Sequence, residues 1–302
     1  MTTNKLYSTQ RRLSWQLAMA AGACVVLLMA SPASGQWEKV GGLANTEVVT
    51  CAGSPGECYP QSIAVGPNGN GSMVGDPWVL GCCANSDGDF DIYQWQDSIW
   101  VKQPGAATQI AISPNGDPWV VTTLGTIYYW NGAGFAETTG CATSIGVGPN
   151  AFGSSYGDPW IIGCDGGYQT NGSIYQLQGS TWVKQPGSAA QIAVSPEGVP
   201  WVVTAAGSVY FWDGSAFVKT GSGCVTSIAV GPTTAPGATP VGDVWATGCT
   251  LATSGGYDIY QLRDKGGFSW VKMPGVATQI SVSPDLGVPW VVRSSGHIYY
   301  RN

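Results

Sequence analysis

The sequence predicts an all-β fold, a six-bladed β-propeller of four-stranded antiparallel blades, from three observations: one unit repeated six times, a glycine- and aromatic-rich composition, and turn chemistry between the repeated runs. The 302 residues include 44 Gly, 19 Pro, 14 Trp and 13 Tyr but only 10% charged residues, which leaves little room for long helices. An apolar share of 44% excludes a disordered chain and suffices for a sizeable core. The net charge of −6 comes from scattered carboxylates, and the Lys and Arg form no basic stripe, so nucleic acid is not an expected partner.

The chain opens on Lys5, Arg11 and Arg12, then an apolar run from Leu17 to Ala30, then Ser-Pro-Ala-Ser-Gly-Gln ending at Gln36. A basic segment, an apolar segment and small residues are the order of a secretory signal peptide, with cleavage after Ala33 or Gly35. The apolar run falls short of the ~20 residues needed to span a bilayer, so the chain is not expected to be membrane-spanning. The expected division is a signal peptide over 1–35 and a propeller over 36–302, secreted, or periplasmic in a bacterium.

Each repeat contributes four strands in a fixed order. The first starts on an aromatic residue: Trp37, Trp100, Phe135, Trp182, Phe217 and Trp270. An Ile-Ala-Val-like strand follows at Ile63, Ile110, Ile145, Ile192, Ile228 and Ile280. A Trp-centred strand comes next, at Trp78, Trp119, Trp160, Trp201, Trp245 and Trp290. An Ile-Tyr-like strand carrying Tyr93, Tyr128, Tyr175, Tyr210, Tyr260 and Tyr299 completes the unit. The runs are short, β-branched and aromatic, and Pro-Asn-Gly, Pro-Glu-Gly, Asn-Gly and Asp-Gly turns divide them. One such meander cannot bury both faces, so neighbours stack and radial closure protects the edges. Because the chain begins on the Trp37 strand and stops on the Ile298 strand, Trp37 to Val40 is expected to pair with Ile298 to Arg301 and close the ring.

Long and short units alternate, giving pseudo-threefold symmetry. The extra length lies before the Trp strand (Pro149 to Gly157, Pro232 to Gly242) and before the Ile-Tyr strand (Ala84 to Asp91, Asp165 to Ser173, Thr250 to Asp258). The chain has nine Cys, and the eight beyond Cys24 all lie in long units. In an exported chain they are expected as disulfides. Aligning the long units places Cys58, Cys141 and Cys224 before the Ile-Ala-Val strand and Cys82, Cys164 and Cys249 after the Trp strand. The start of one antiparallel strand faces the end of the next, so Cys58 pairs with Cys82, Cys141 with Cys164 and Cys224 with Cys249, leaving Cys51 for Cys83. No cofactor and no metal are expected, since Cys82-Cys83 lacks metal-ligand spacing and the chain has a single His.

Catalytic constellations are weak. Gly153-Ser-Ser-Tyr-Gly157 matches a nucleophile pattern centred on Ser155 but falls in a loop without a His partner. His297 takes a turn position held by Thr126 and Ser208 in other short units. Asp87-Gly-Asp-Phe-Asp91 alternates carboxylates as calcium loops do, yet lacks their later bidentate Glu and reads as a hairpin tip. The recurring chemistry is aromatic and amide. The residue after each Ile-Tyr tyrosine is Gln94, Gln176 or Gln261 in long units and Tyr129, Phe211 or Tyr300 in short ones, which makes two kinds of inter-blade groove. Trp100 with Lys102, Trp182 with Lys184 and Trp270 with Lys272 share one face of an outer strand, and this spacing recurs at Trp37-Lys39 and Phe217-Lys219. Lys there discourages edge pairing or forms a ligand platform. These twelve residues are the candidate ligand-binding set.

The unit Trp-Val-Lys-Gln-Pro-Gly, Gln-Ile-Ala-Ile-Ser-Pro-Asn-Gly-Asp-Pro-Trp-Val-Val, Gly-Thr-Ile-Tyr-Tyr-Trp, from Trp100 to Trp130, resembles the repeat of the tectonin family, and the resemblance runs along the whole chain after the leader. It implies a non-enzymatic propeller lectin that recognises surface glycans or lipopolysaccharide. The long units with their Cys and insertions, and Phe135 and Phe217 in place of the leading Trp, depart from the simple repeat. The alternative reading is a structural propeller whose long loops dock a protein partner.

Overall fold

In the computed structural model, the described residues are 36–40, 59–69, 74–150, 155–167, 170–264 and 266–301; the side chains of Cys82 and Cys83 are not described. The signal-peptide reading, Cys51, Cys58 and their two pairings lie outside this set.

The strands fall where the repeat places them. After β1 (Trp37–Lys39), the first blade is β2 (Pro60–Gly66), β3 (Asp76–Ala84), β4 (Phe90–Gln96) and β5 (Ile99–Ala107). The second is β6 (Gln109–Ile112), β7 (Pro118–Val121), β8 (Ile127–Trp130) and β9 (Phe135–Thr138). The third is β10 (Ala142–Gly148), β11 (Asp158–Gly163), β12 (Gly172–Gln178) and β13 (Thr181–Ala189), with a 3-10 turn at Cys164–Gly166. The fourth is β14 (Gln191–Val194), β15 (Pro200–Val203), β16 (Val209–Trp212) and β17 (Phe217–Lys219). The fifth is β18 (Val225–Gly231), β19 (Asp243–Leu251), β20 (Tyr257–Asp264) and β21 (Phe268–Ala277). The sixth contains β22 (Gln279–Val282), β23 (Pro289–Val292) and β24 (Ile298–Arg301). Its fourth strand is β1: Trp37 faces Arg301, Glu38 faces Tyr300 and Lys39 faces Tyr299 in antiparallel register. The ring thus closes with β1 and β24 in one sheet, as expected.

Because each blade is apolar on both faces, the core is divided rather than single. Six hydrophobic clusters fill the six blade interfaces, each mixing two neighbouring blades. The Trp of the second strand is buried in every blade, from Trp201 at 0% exposure to Trp78 at 6%. Burying an aromatic side chain of this size stabilises by ~3 kcal/mol.

Both described disulfides follow the blade alignment. Cys141 joins Cys164 and Cys224 joins Cys249, with Cα atoms 5.5 and 5.4 Å apart. They are compatible with an extracellular location. Among the described residues no helix is long and apolar enough to cross a membrane.

The insertions of the long blades clasp the short ones. Toward the following short blade, Asp89 accepts from Thr123 N at 2.6 Å and Thr123 Oγ1 at 3.0 Å, and Asn171 Oδ1 accepts from Ala205 N at 2.8 Å. Toward the preceding short blade, Thr233 N donates to Glu197 at 2.7 Å and Asn68 N to Asp285 at 2.9 Å. The three carboxylates of Asp87 to Asp91 therefore diverge: Asp89 bonds the next blade, Asp91 pairs with Lys102 and Asp87 stays exposed.

Candidate functional site

The sequence-predicted residues divide between the perimeter and the blade interfaces, and a further surface surrounds the axis.

At the perimeter the leading aromatic of each outer strand packs on the blade before it. The Trp37 indole donates to Pro274 O at 2.6 Å, and the Trp182 indole to Thr139 O at 2.6 Å. Any Cβ at Gly140 would lie 2.6 Å from the Trp182 indole nitrogen, and one at Gly223 3.1 Å from Trp270, so small residues there admit the rings. Trp182 and Trp270 are half-buried, whereas Trp100 is only 3% exposed and meets Trp95 edge to face with centroids 5.0 Å apart.

Two residues further along each outer strand comes the lysine. Lys102 lies opposite Tyr93, Lys184 opposite Tyr175 and Lys272 opposite Tyr260 in the register. Lys102 meets Asp91 at 2.7 Å and Lys272 meets Asp258 at 2.7 Å, with lysine side chains 58% and 60% exposed. The hydrogen bond from Lys272 to Asp258 holds its ammonium above the usual lysine range. In the middle long blade Ser173 replaces that Asp, and Asp165 comes in from the loop, accepting from Ser173 N at 2.8 Å. Hydrogen bonds from Ser173, with a smaller pull from Lys184, hold the Asp165 carboxyl below its ordinary value. Burial first, and then the Asp91 carboxylate, push the Tyr93 phenol up to about 12. Each long blade thus presents an acid and an ammonium together, and the second and third add a half-buried Trp beside them.

The alternating Gln and aromatic positions serve the Trp beside them. In long blades Gln94, Gln176 and Gln261 are buried and donate to Asp76, Asp158 and Asp243 at 2.8, 3.0 and 2.5 Å. The indoles of Trp78, Trp160 and Trp245 donate to the same carboxylates at 3.2, 3.3 and 2.7 Å. Burial raises the carboxyls of Asp158 and Asp243 above their ordinary value, against the lowering effect of these donors. In short blades Tyr129, Phe211 and Tyr300 lean on Trp119, Trp201 and Trp290, with centroids 5.1, 5.3 and 5.0 Å apart. Those indoles donate instead to Tyr156 O, Val241 O and Val74 O of the next blade, at 2.7, 3.1 and 2.8 Å. The structure therefore brings Trp182, Lys184, Trp270, Lys272 and Lys102 to the surface and places the three Gln inside the blade interfaces.

At the axis the innermost strands enclose a channel pinched by six isoleucines, one per blade, which line the spaces on both sides of the waist. On the side where the inner strands begin lies a vestibule of about 590 Å³, and on the other a space of about 120 Å³ walled by Ala, Val and Pro. The vestibule carries a ring the sequence reading did not single out: Ser62, Ser144 and Ser227 from long blades alternate with Gln109, Gln191 and Gln279 from short ones. The signal was present, as Ser-Ile in long units and Gln-Ile in short units.

Six four-stranded sheets around an axial channel, closed by the pairing of β1 with β24, define a six-bladed β-propeller. Residues 166–302, a little under half of the chain, match the family model of the Tectonin domain, and the six-bladed propeller is consistent with a tectonin-repeat propeller. No curated protein matches the chain. Among solved structures it is similar to AofleA from Arthrobotrys oligospora, at 12% identity over 80% of this chain and 82% of that one, with a TM-score of 0.51. It is also similar to the WD40 β-propeller domain of Doa1, at 10% identity over 89% of this chain and 97% of that one, with a TM-score of 0.50. At these identities the likeness is one of fold.

Proposed function

We propose that this chain is a secreted, multivalent, non-enzymatic lectin-like propeller that binds surface glycans or lipopolysaccharide. The observation that carries the reading is the threefold perimeter arrangement, in which an exposed Lys beside a carboxylate recurs as Lys102–Asp91, Lys184–Asp165 and Lys272–Asp258, with half-buried Trp182 and Trp270 two residues before the second and third Lys. An aromatic edge offers a sugar its apolar contact, while the ammonium donates to hydroxyls and the carboxylate accepts from them. Three weak sites on one rigid ring gain avidity on a surface that displays many copies of the ligand. The tectonin match and the amino-terminal signal pattern support the same reading.

The test is a glycan array and immobilised lipopolysaccharide, probed with the secreted chain. The expected result is binding that falls at least about tenfold when Lys102, Lys184 and Lys272 are changed together to Ala, since avidity is lost with the sites. Absence of binding to every glycan and to lipopolysaccharide overturns the proposal.

A further inference from the structure

The vestibule is chemically unlike the perimeter. Among the described residues it is lined by hydroxyl, amide and apolar groups, with no charged side chain. Its floor is the isoleucine waist, and its wall is the alternating Ser and Gln ring. Part of that wall is held in place: Gln191 Nε2 donates to Thr226 O at 2.5 Å, Ser144 Oγ accepts from Ile192 N at 3.2 Å, and Ser227 Oγ donates to Gln279 Oε1 at 3.4 Å. Gln109 makes no side-chain hydrogen bond among the described residues, and the Gln279 amide nitrogen makes none either. Donors and acceptors therefore remain directed around an apolar floor. The volume lies inside the ~300–1,000 Å³ range of small-molecule sites.

We propose that this vestibule is a single axial binding site for an uncharged, hydroxylated six-membered ring, such as a pyranose or an inositol. Such a ring has apolar C–H faces and hydroxyls radiating in its plane. One face lies on the isoleucine floor, and the rim hydroxyls meet the Ser and Gln groups that line the vestibule from all six blades, the Gln109 amide and the Gln279 amide nitrogen first. A charged ring is disfavoured, because a phosphate or carboxylate would enter without a countercharge. The ligand is either a free ring or the terminal sugar of a glycan, and both present the same chemistry. This site goes beyond the perimeter reading, since the pseudo-threefold elements converge on one axis and give one ligand per chain.

The test is calorimetric titration of the full secreted chain with glucose, scyllo-inositol, maltotriose and glucose 6-phosphate, alongside NMR of isoleucine methyl groups. The expected result is saturable binding of glucose or scyllo-inositol at one per chain, with shifts at the waist isoleucines and weaker binding of glucose 6-phosphate. Maltotriose binding as well as glucose assigns a glycan end, and its exclusion assigns a free ring; both support the site. Gln109→Leu should weaken binding about tenfold without changing the melting temperature. No heat and no methyl shift across the millimolar range overturns the proposal, as does a stoichiometry of three, which belongs to the perimeter. Loss of axial binding with glycan-array binding intact separates its failure from that of the perimeter reading.

Discussion

Replacing Cys141 and Cys164 together by alanine removes the crosslink between the start of β10 and the end of β11. The two residues are separated by 23 positions in sequence. The loop-closure entropy released to the unfolded chain corresponds to about 3.4 kcal/mol at 25 °C. Because Cys224 and Cys249, separated by 25, occupy the equivalent place two blades on, their removal should cost nearly the same, about 3.5 kcal/mol. The two crosslinks lie in different blades, so the losses should add. Equilibrium urea unfolding of the oxidised parent and the two double variants measures this, with an unchanged m-value as the sign that compactness is unaltered. A loss below about 1 kcal/mol for either pair would refute the reasoning, because the unfolded chain without the crosslink would then already be restricted by residual structure.

Other expectations follow from single contacts. Gly125 has φ +82° and a Cβ there would lie 2.5 Å from Cys141 Sγ, so Gly125→Ala should destabilise by more than about 1 kcal/mol, with part of the loss recovered when the disulfide is also absent, in a double-mutant cycle. Trp37→Ala removes the indole bond to Pro274 O and the packing at the ring closure; about 2 kcal/mol should be lost in urea unfolding, with faster limited proteolysis at the amino-terminal strand. Burial raises the folded Asp158 carboxyl above 3.8, so the folded state holds the proton longer than the unfolded one, and stability falls as pH rises from 3.8 through the raised value. Asp158→Asn should flatten that part of the melting-temperature profile, and an unchanged slope would contradict the assignment. Tyr93→Phe should remove one tyrosinate absorbance step near pH 12 from the alkaline titration.

Much of the architecture was legible as repetition. Short β-branched and aromatic runs divided by turn residues placed the strands, and counting repeats gave the blades, because an isolated meander leaves two apolar faces that only neighbours can cover. The missing outer strand of the last unit foretold the pairing of Trp37 with Arg301, and aligned Cys positions foretold Cys141–Cys164 and Cys224–Cys249. The alternation of Gln with aromatic residues was also visible, but not its meaning. Gln176 faces Trp160 in the register, and the buried Asp158 that holds both lies eighteen residues earlier, on a neighbouring strand.

The sequence by itself determined the strands, the blade count, the short–long pairing and the closing strand, since each depends on local patterning or on like positions in successive units. Only the tertiary structure decided which side chains meet: that the long-blade Gln turn inward to carboxylates, that Lys102 and Lys272 find Asp91 and Asp258, and that Ser and Gln from six distant strands face one cavity. Ring closure brings residues tens of positions apart to a common axis, and no local pattern records that convergence.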